Sequence, residues 1–304
     1  MKYSIGVDIG GTKIAIALVS EKGDIINDIV LPTNLHHQPE KMMQVIIRSI
    51  SDLIDQNNLK QDIIGIGVGA PGPLNANEGR LINPPNLPTW NNFHVKKPLE
   101  DYFGFEVMIE NDANVAALGE KWIGAGKELN NFVYMTISTG IGVGIINDNR
   151  LLRGSNGNAG EFGHTVIDPS FEKCPRCGQK GCVESIASGT AIANYASRIM
   201  KKELTTQEVF HLYEENNNDI KEYLEKVFSV LGSACVTLIN MFDPETIVIG
   251  GGVSQAGNTL IDPIRSYVKK HTLNIESRNI KIVTANLSKN TGVIGAASLF
   301  FEPN

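Results

Sequence analysis

Long apolar runs are missing from this chain. No stretch approaches the roughly 18 consecutive apolar residues of a membrane helix, which argues against a membrane partner. The N-terminal apolar run is short and broken by Asp8 and the glycines after it, unlike a secretory leader. Basic clusters are missing too. Lys and Arg total 27 against 33 Asp and Glu, a formal net charge of −6, which argues against a nucleic-acid partner. Cysteine is scarce, with four among 304 residues. The expectation is a cytoplasmic protein in a compartment that keeps thiols reduced. The common phosphate-binding signatures are also wanting. The nearest approach to a Walker A loop, Gly126-Lys127, lacks the earlier glycine and continues with Glu128. A formal GxGxxG at Gly67, Gly69 and Gly72 is flanked by Pro71 and Pro73 and opens no helical pattern, so it reads poorly as a dinucleotide site.

What is present is a balanced globular composition, 42% hydrophobic and 20% charged, on a chain long enough for about two domains. The opening is its most specific feature. Val7-Asp8-Ile9-Gly10-Gly11-Thr12-Lys13 follows one apolar run and leads into another, Ile14 to Val19. This spells strand, glycine turn, strand. Gly10 and Gly11 let backbone N–H groups approach an anion, Thr12 adds a hydroxyl and Lys13 a positive charge. Asp8, just before the turn, is placed to face a metal ion. A second copy follows: strand 131–137, the turn Ser138-Thr139-Gly140-Ile141-Gly142, and the strand Val143 to Ile146. Two such hairpins indicate an internal repeat.

Periodicity places strands at 3–9, 13–20 and 25–31, a helix at 39–57 with one apolar stripe, and a strand at 63–69, in the order βββαβ. A similar order is expected later: strands near 132–138, 142–147 and 164–168, then helices near 186–200 and 219–242, the second ended by Asp243-Pro244 before the short strand 246–249. Two βββαβ units around a cleft predict an α/β, actin-like, ribonuclease-H-like two-lobed architecture. The lobes are placed at 1–115, with 290–304 returning to it, and at 116–289.

Two further clusters carry chemistry. Residues 107–110 read as a strand, and Asn111-Asp112-Ala113-Asn114 opens a helix. Asp112 is either a helix N-cap or a general base for a phosphoryl-acceptor hydroxyl. His164, Cys174, Cys177 and Cys182 lie together on a Gly- and Pro-rich stretch and form a Cys3His zinc set. Four protein ligands leave no open position, so the zinc is expected to be structural. Cys235, inside the long helical pattern, reads as core. Trp90 reads as a pocket wall or an exposed loop aromatic.

These motifs, with Ala70-Pro71-Gly72-Pro73, Gly160-Glu161-Phe162-Gly163-His164, Gly181-Cys182-Val183-Glu184 and Ile249-Gly250-Gly251-Gly252-Val253, resemble the ROK family of bacterial sugar kinases and repressors over essentially the whole chain. Within it the likeness is greatest to ATP-dependent glucokinases. The resemblance implies Asp112 as base for the sugar 6-hydroxyl. It implies Asn111, Glu161, His164 and Glu184 on the other hydroxyls, with Gly72 and Asn86 lining the same pocket. Gly10, Gly11, Thr12, Lys13, Thr139 and Gly140 would hold ATP phosphates, Asp8 would act through Mg2+, and Gly251 and Gly252 would approach the adenosine. It further implies a homo-oligomer, dimer or tetramer. Rival substrates are N-acetylmannosamine, N-acetylglucosamine, mannose and fructose. A sugar-responsive repressor is disfavoured, because only seven residues precede Asp8. The chain departs from the family in its Cys174-x2-Cys177 spacing, where Cys-x-Cys is usual, and in fewer glycines at residues 138–144.

Overall fold

The structure, a computed structural model, describes residues 1–35 and 37–301. His36 and residues 302–304 of the expected C-terminal return lie outside the described residues. Two compact units emerge: Met1–Glu128 with Asn149–Ala159 and the segment from Asn286 onward, and Leu129–Asp148 with Gly160–Ala285.

The first unit is built on β1 (Tyr3–Ile9), β2 (Lys13–Ser20), β3 (Ile25–Pro32), α1 (Pro39–Asn57) and β4 (Ile63–Ala70). A small sheet of β5 (Leu74–Asn75), β6 (Arg80–Leu81) and β7 (Phe93–His94) and the helix α2 (Lys96–Phe103) then lead to β8 (Val107–Asn111) and α3 (Asp112–Ile123). The main sheet has the order β3-β2-β1-β4-β8. Its first three strands are antiparallel neighbours, while β4 and β8 run parallel to β1. Strand alternation decides the packing. Ile5, Val7 and Ile9 point into a core shared with Met42, Met43, Ile46, Ile50, Leu53 and Ile54, the buried stripe of α1. Gly6 and Gly67 point the other way, where α9 (Thr291–Ser298) lies directly on the strands. A Cβ on Gly6 would sit 2.0 Å from the Val293 carbonyl oxygen, and one on Gly67 1.8 Å from that of Ala296. Gly67 of the decoy GxGxxG therefore serves helix-on-sheet contact. Gly69 likewise faces Val115 of α3. Because α3 packs with α9 in this unit, the boundary falls after Glu128 rather than near 115.

The second unit repeats the plan with β9 (Phe132–Ile137), β10 (Ile141–Asn147), β12 (Thr246–Gly250) and β13 (Lys281–Thr284), ordered β10-β9-β12-β13. The two-residue β11 (Arg150–Leu151) lies in the stretch assigned to the first unit. The core is formed with α4 (Val183–Ala187), α5 (Gly189–Met200), α6 (Thr206–Glu214), α7 (Asn218–Phe242) and α8 (Asn258–His271). Among the described residues α7 alone is long and apolar enough to cross a membrane, and its apolar stripe is core. Cys235 is buried on it, as expected, and burial pushes its thiol up to about 12.

Two expectations fail. No strand forms at 164–168. Glu161–His164 is a 3-10 turn, and Val166 makes only an isolated bridge to Cys182. The backbone of this stretch pairs with the end of the cysteine loop, Ile167 and Asp168 donating to the Gly181 carbonyl and Val183 donating to the Thr165 carbonyl, and not with a strand of the sheet. Trp90 is neither a pocket wall nor exposed: it is fully buried, edge-on to Phe93 at 5.3 Å.

Candidate active site

In the first unit the chemistry gathers where parallel strands end. Asp8 pairs with Gly69, Gly69 with Glu110, and Ala70 with Asn111. The carboxyl ends of β1, β4 and β8 thus bring Asp8, the loop carrying Gly72, and the Asn111-Asp112 pair to one edge, where open α/β sheets bind ligands.

The first hairpin turn is closed by the Gly10 N–H donating to the Lys13 carbonyl at 2.9 Å. It is strapped from β3's end: the Thr33 N–H donates to the Thr12 carbonyl at 3.0 Å, and the Thr33 hydroxyl to the Gly10 carbonyl at 2.7 Å. Gly11 lies against Asn86, whose carbonyl oxygen is 3.0 Å from where a Cβ would stand. The turn and the Asn86 loop are therefore neighbours. Burial raises the Asp8 carboxyl to about 6, and the charge of Lys13 pulls against that rise. Gly292 on α9 leaves room for this carboxylate, since a Cβ there would fall 2.2 Å from Asp8 Oδ2.

At the other end of the edge, Asn111 rather than Asp112 caps α3. Its side chain accepts from the N–H groups of Ala113 and Asn114. Asp112 is the first helical residue, exposed, with Oδ1 accepting from the Ala113 N–H at 2.8 Å. Beneath both lies Glu110, only 3% exposed. Its Oε1 accepts from the Asn111 N–H at 2.9 Å and from Asn114 Nδ2 at 3.0 Å, and its Oε2 accepts from Arg153 Nε at 2.7 Å.

In the second unit the residues converge on the start of β10. The second hairpin is closed by the Ser138 N–H donating to the Gly140 carbonyl at 2.9 Å. Glu184, 7% exposed on α4, accepts the Ile141 N–H at 2.9 Å through Oε2, while Oε1 lies 3.5 Å from Arg176 Nε. The turn carrying Glu161 and His164 packs on the same spot, with Gly163 so close to the Ile141 carbonyl that a Cβ would lie 2.1 Å away. Gly251 approaches the Ile137 backbone, whereas a Cβ on Gly252 would meet open space.

The donor atoms of His164, Cys174, Cys177 and Cys182 all lie within 4.8 Å of one another. Three observations fit a metal. His164 Nδ1 is buried without a hydrogen-bond partner among the described residues. The thiols of Cys174 and Cys182 lie within hydrogen-bonding reach of each other, and the N–H groups of Arg176 and Cys177 point at the Cys174 sulfur. The loop is tightly folded: the Cys174 N–H donates to the Gln179 carbonyl at 2.7 Å, and Gly181, at φ +69°, lies so close to the Asp168 carbonyl that any side chain would collide. This Cys3His set suits zinc.

The motifs named nearly every residue of both clusters. They assigned no role to Glu110 or Arg153, to Arg176, or to Gly292. Arg153 belongs to no motif, and only the folded chain brings it to Glu110. Arg176 carried one signal: it lies within the lengthened Cys174-x2-Cys177 spacing.

The fold is the actin-like, ribonuclease-H-like α/β fold of two-lobed sugar kinases. The ROK family model matches residues 4–302, and the chain belongs to the ROK family. It is 34% identical to a glucokinase of Halalkalibacterium halodurans, over 98% of this chain and 94% of the relative. A ROK glucokinase from Streptomyces griseus, solved with glucose and AMPPNP, superposes with a TM-score of 0.83 at 30% identity, covering 98% of both chains. The chain is also 32% identical to a xylose repressor of Bacillus spizizenii, over 99% of this chain and 77% of the repressor.

Proposed function

We propose that this protein is a sugar kinase that transfers the terminal phosphoryl group of ATP to the 6-hydroxyl of a hexose, with glucose as the preferred acceptor. The observation that carries the reading lies within the first unit. A glycine hairpin with a hydroxyl and a lysine, and an exposed carboxylate at a helix start, stand at the carboxyl ends of strands of one sheet. One is suited to phosphate, the other to a hydroxyl.

Phosphoryl transfer asks for positioning and charge stabilisation more than for a strong base. Asp112 accepts a hydrogen bond from the acceptor hydroxyl and takes its proton as the new O–P bond forms. Asn111 uses its amide oxygen for the cap, which leaves its amide N–H groups for a neighbouring sugar oxygen. Asn86 and Gly72 line the same pocket, and the family resemblance gives Glu161, His164 and Glu184 the role of polar sugar partners. Gly10 to Lys13 are suited to phosphate, and the family resemblance gives Thr139 and Gly140 the same role and Gly251 and Gly252 that of leaving the adenosine room. Asp8 supplies a carboxylate to the Mg2+ that accompanies the nucleotide. The zinc set stabilises the loop that joins His164 to Glu184 and takes no part in transfer.

The relatives named glucokinase support glucose as acceptor. The test is an ADP-release assay with MgATP against hexoses and N-acetylhexosamines, on the wild type and on Asp112→Asn. Glucose is expected to give the highest kcat/KM. Asp112→Asn is expected to lose about 10²–10⁴-fold in kcat, the usual contribution of a positioned base, with sugar affinity retained. Preference for an N-acetylated sugar would overturn the acceptor assignment. No phosphorylation of any sugar would overturn the reading as a whole.

A further inference from the structure

The two hairpin turns differ in length and in their last residue: Gly10 to Lys13 join the Ile9–Ile14 pair, and the shorter turn Ser138 to Gly140 joins the Ile137–Ile141 pair. In the first, the residue whose carbonyl closes the turn is Lys13. In the second, it is Gly140. The second turn therefore carries no cation of its own. The space a side chain on Gly140 would take is already filled: its Cβ would lie 2.4 Å from Glu184 Oε2 and 3.2 Å from Arg176 Nη1. The acid–base pair of the first hairpin, Asp8 with Lys13, has its counterpart here in Glu184 with Arg176, delivered from α4 and from the cysteine loop. Arg176 and Thr139 also line one cavity of about 350 Å³, together with Ser188 at the start of α5. Arg176 stands between the ligand candidates Cys174 and Cys177, so the tight loop sets where its backbone lies. It is one of the two residues, with Pro175, that make the cysteine spacing longer than the usual Cys-x-Cys.

We propose that Arg176 is the cationic phosphate ligand of the second hairpin, its guanidinium engaging oxygens of a nucleotide's phosphate chain seated against Thr139. The proposal rests on the sugar-kinase reading for its nucleotide. Guanidinium groups bind phosphate oxygens through short, charge-assisted hydrogen bonds in a fixed fork geometry. In this arrangement Arg176 is shared between Glu184 and the nucleotide, so the loop extension adds a phosphate contact beside a hairpin that carries no cation of its own.

The experiment compares wild type, Arg176→Met and Arg176→Lys by calorimetric titration with AMPPNP and Mg2+, alongside KM for ATP and for the sugar. Zinc content and melting temperature verify the fold. Arg176→Met is expected to weaken AMPPNP binding and raise the ATP KM by about tenfold or more, the loss of one charge-assisted contact. The sugar KM is expected to move less than about threefold, since the Ile141 N–H still holds Glu184 when its ion pair with Arg176 is lost. Arg176→Lys is expected to recover part of the nucleotide affinity. If the methionine variant loses zinc, Arg176→Gln, which keeps a polar side chain on the loop, carries the same measurement. Unchanged AMPPNP affinity overturns the proposal. So does a loss confined to the sugar KM, which would make Arg176 a positioning residue for Glu184. Failure of the sugar-kinase reading is seen separately, as wild-type protein that binds AMPPNP and phosphorylates no sugar.

Discussion

Arg153 Nε stands 2.7 Å from Oε2 of Glu110, a carboxylate only 4% exposed, and the other oxygen of that carboxylate accepts from the Asn111 N–H and from Asn114 Nδ2. The pair thus holds the residues on either side of Asp112 from beneath. Removing one partner of a buried pair leaves an uncompensated charge. Arg153→Met should cost about 2–3 kcal/mol, discounted from the fully buried case because the arginine is about one-third exposed. It should lower kcat more than it raises the ATP KM. Denaturant unfolding and steady-state kinetics measure both. Unchanged stability would show that water replaces the arginine at no cost.

Zinc removal should loosen the stretch from His164 to Glu184. One zinc per chain is expected by elemental analysis of protein purified without added metal. Cys182→Ser should abolish the bound zinc, lower the melting temperature and weaken sugar binding. A metal-free wild type with full activity would contradict a structural zinc.

Asp8 predicts a pH dependence of stability. Its carboxyl titrates near 3.8 in the unfolded chain and near 6 in the folded one. Between those values the folded protein holds a proton that the unfolded chain has released, so stability falls as pH rises through the window and levels off above it. At neutral pH the burden is at most about 3 kcal/mol, two pH units at about 1.36 kcal/mol each. Asp8→Asn should therefore raise the melting temperature at pH 7 in buffer free of metal and nucleotide, and flatten the profile between pH 4 and 6, while activity is lost. Calorimetry at several pH values checks this, and parallel wild-type and variant profiles would refute it.

Gly67→Ala should be among the most damaging small substitutions. Its Cβ would meet backbone, not a movable side chain, 1.8 Å from the Ala296 carbonyl oxygen. Overpacking of this kind costs about 1–3 kcal/mol or more. A variant that melts with the wild type would mean that α9 can lift from the sheet freely.

Local patterns made much of this molecule readable. Strand alternation at Ile5, Val7 and Ile9 and the stripe of α1 depend only on near neighbours, and so do the two glycine turns. The cap of α3 was harder, because Asn111 and Asp112 both favour that position and only the backbone decides between them. The strand expected at 164–168 failed because its backbone pairs with Gly181 and Val183 at the end of the cysteine loop rather than with a strand of the sheet. Trp90 looked peripheral among Pro and Asn residues, yet the small β5–β7 sheet encloses it. The bonds from Arg153 to Glu110 and from Arg176 to Glu184 join residues that no local period connects.

The position of α9 has a consequence for biosynthesis. The strands of the first unit and α1 leave the ribosome early, but the helix that covers Gly6 and Gly67 follows residues 129–285. At about 5–20 residues per second that interval lasts on the order of ten seconds or more. Through it the face over Gly6 and Gly67 lacks the helix that covers it, although α3, which meets Gly69, is already made. Limited proteolysis of chains arrested short of Asn286 should find the first unit open to cleavage, and protection there would mean that another segment covers the face in the interim. The part of the protein translated first is thus the part completed last.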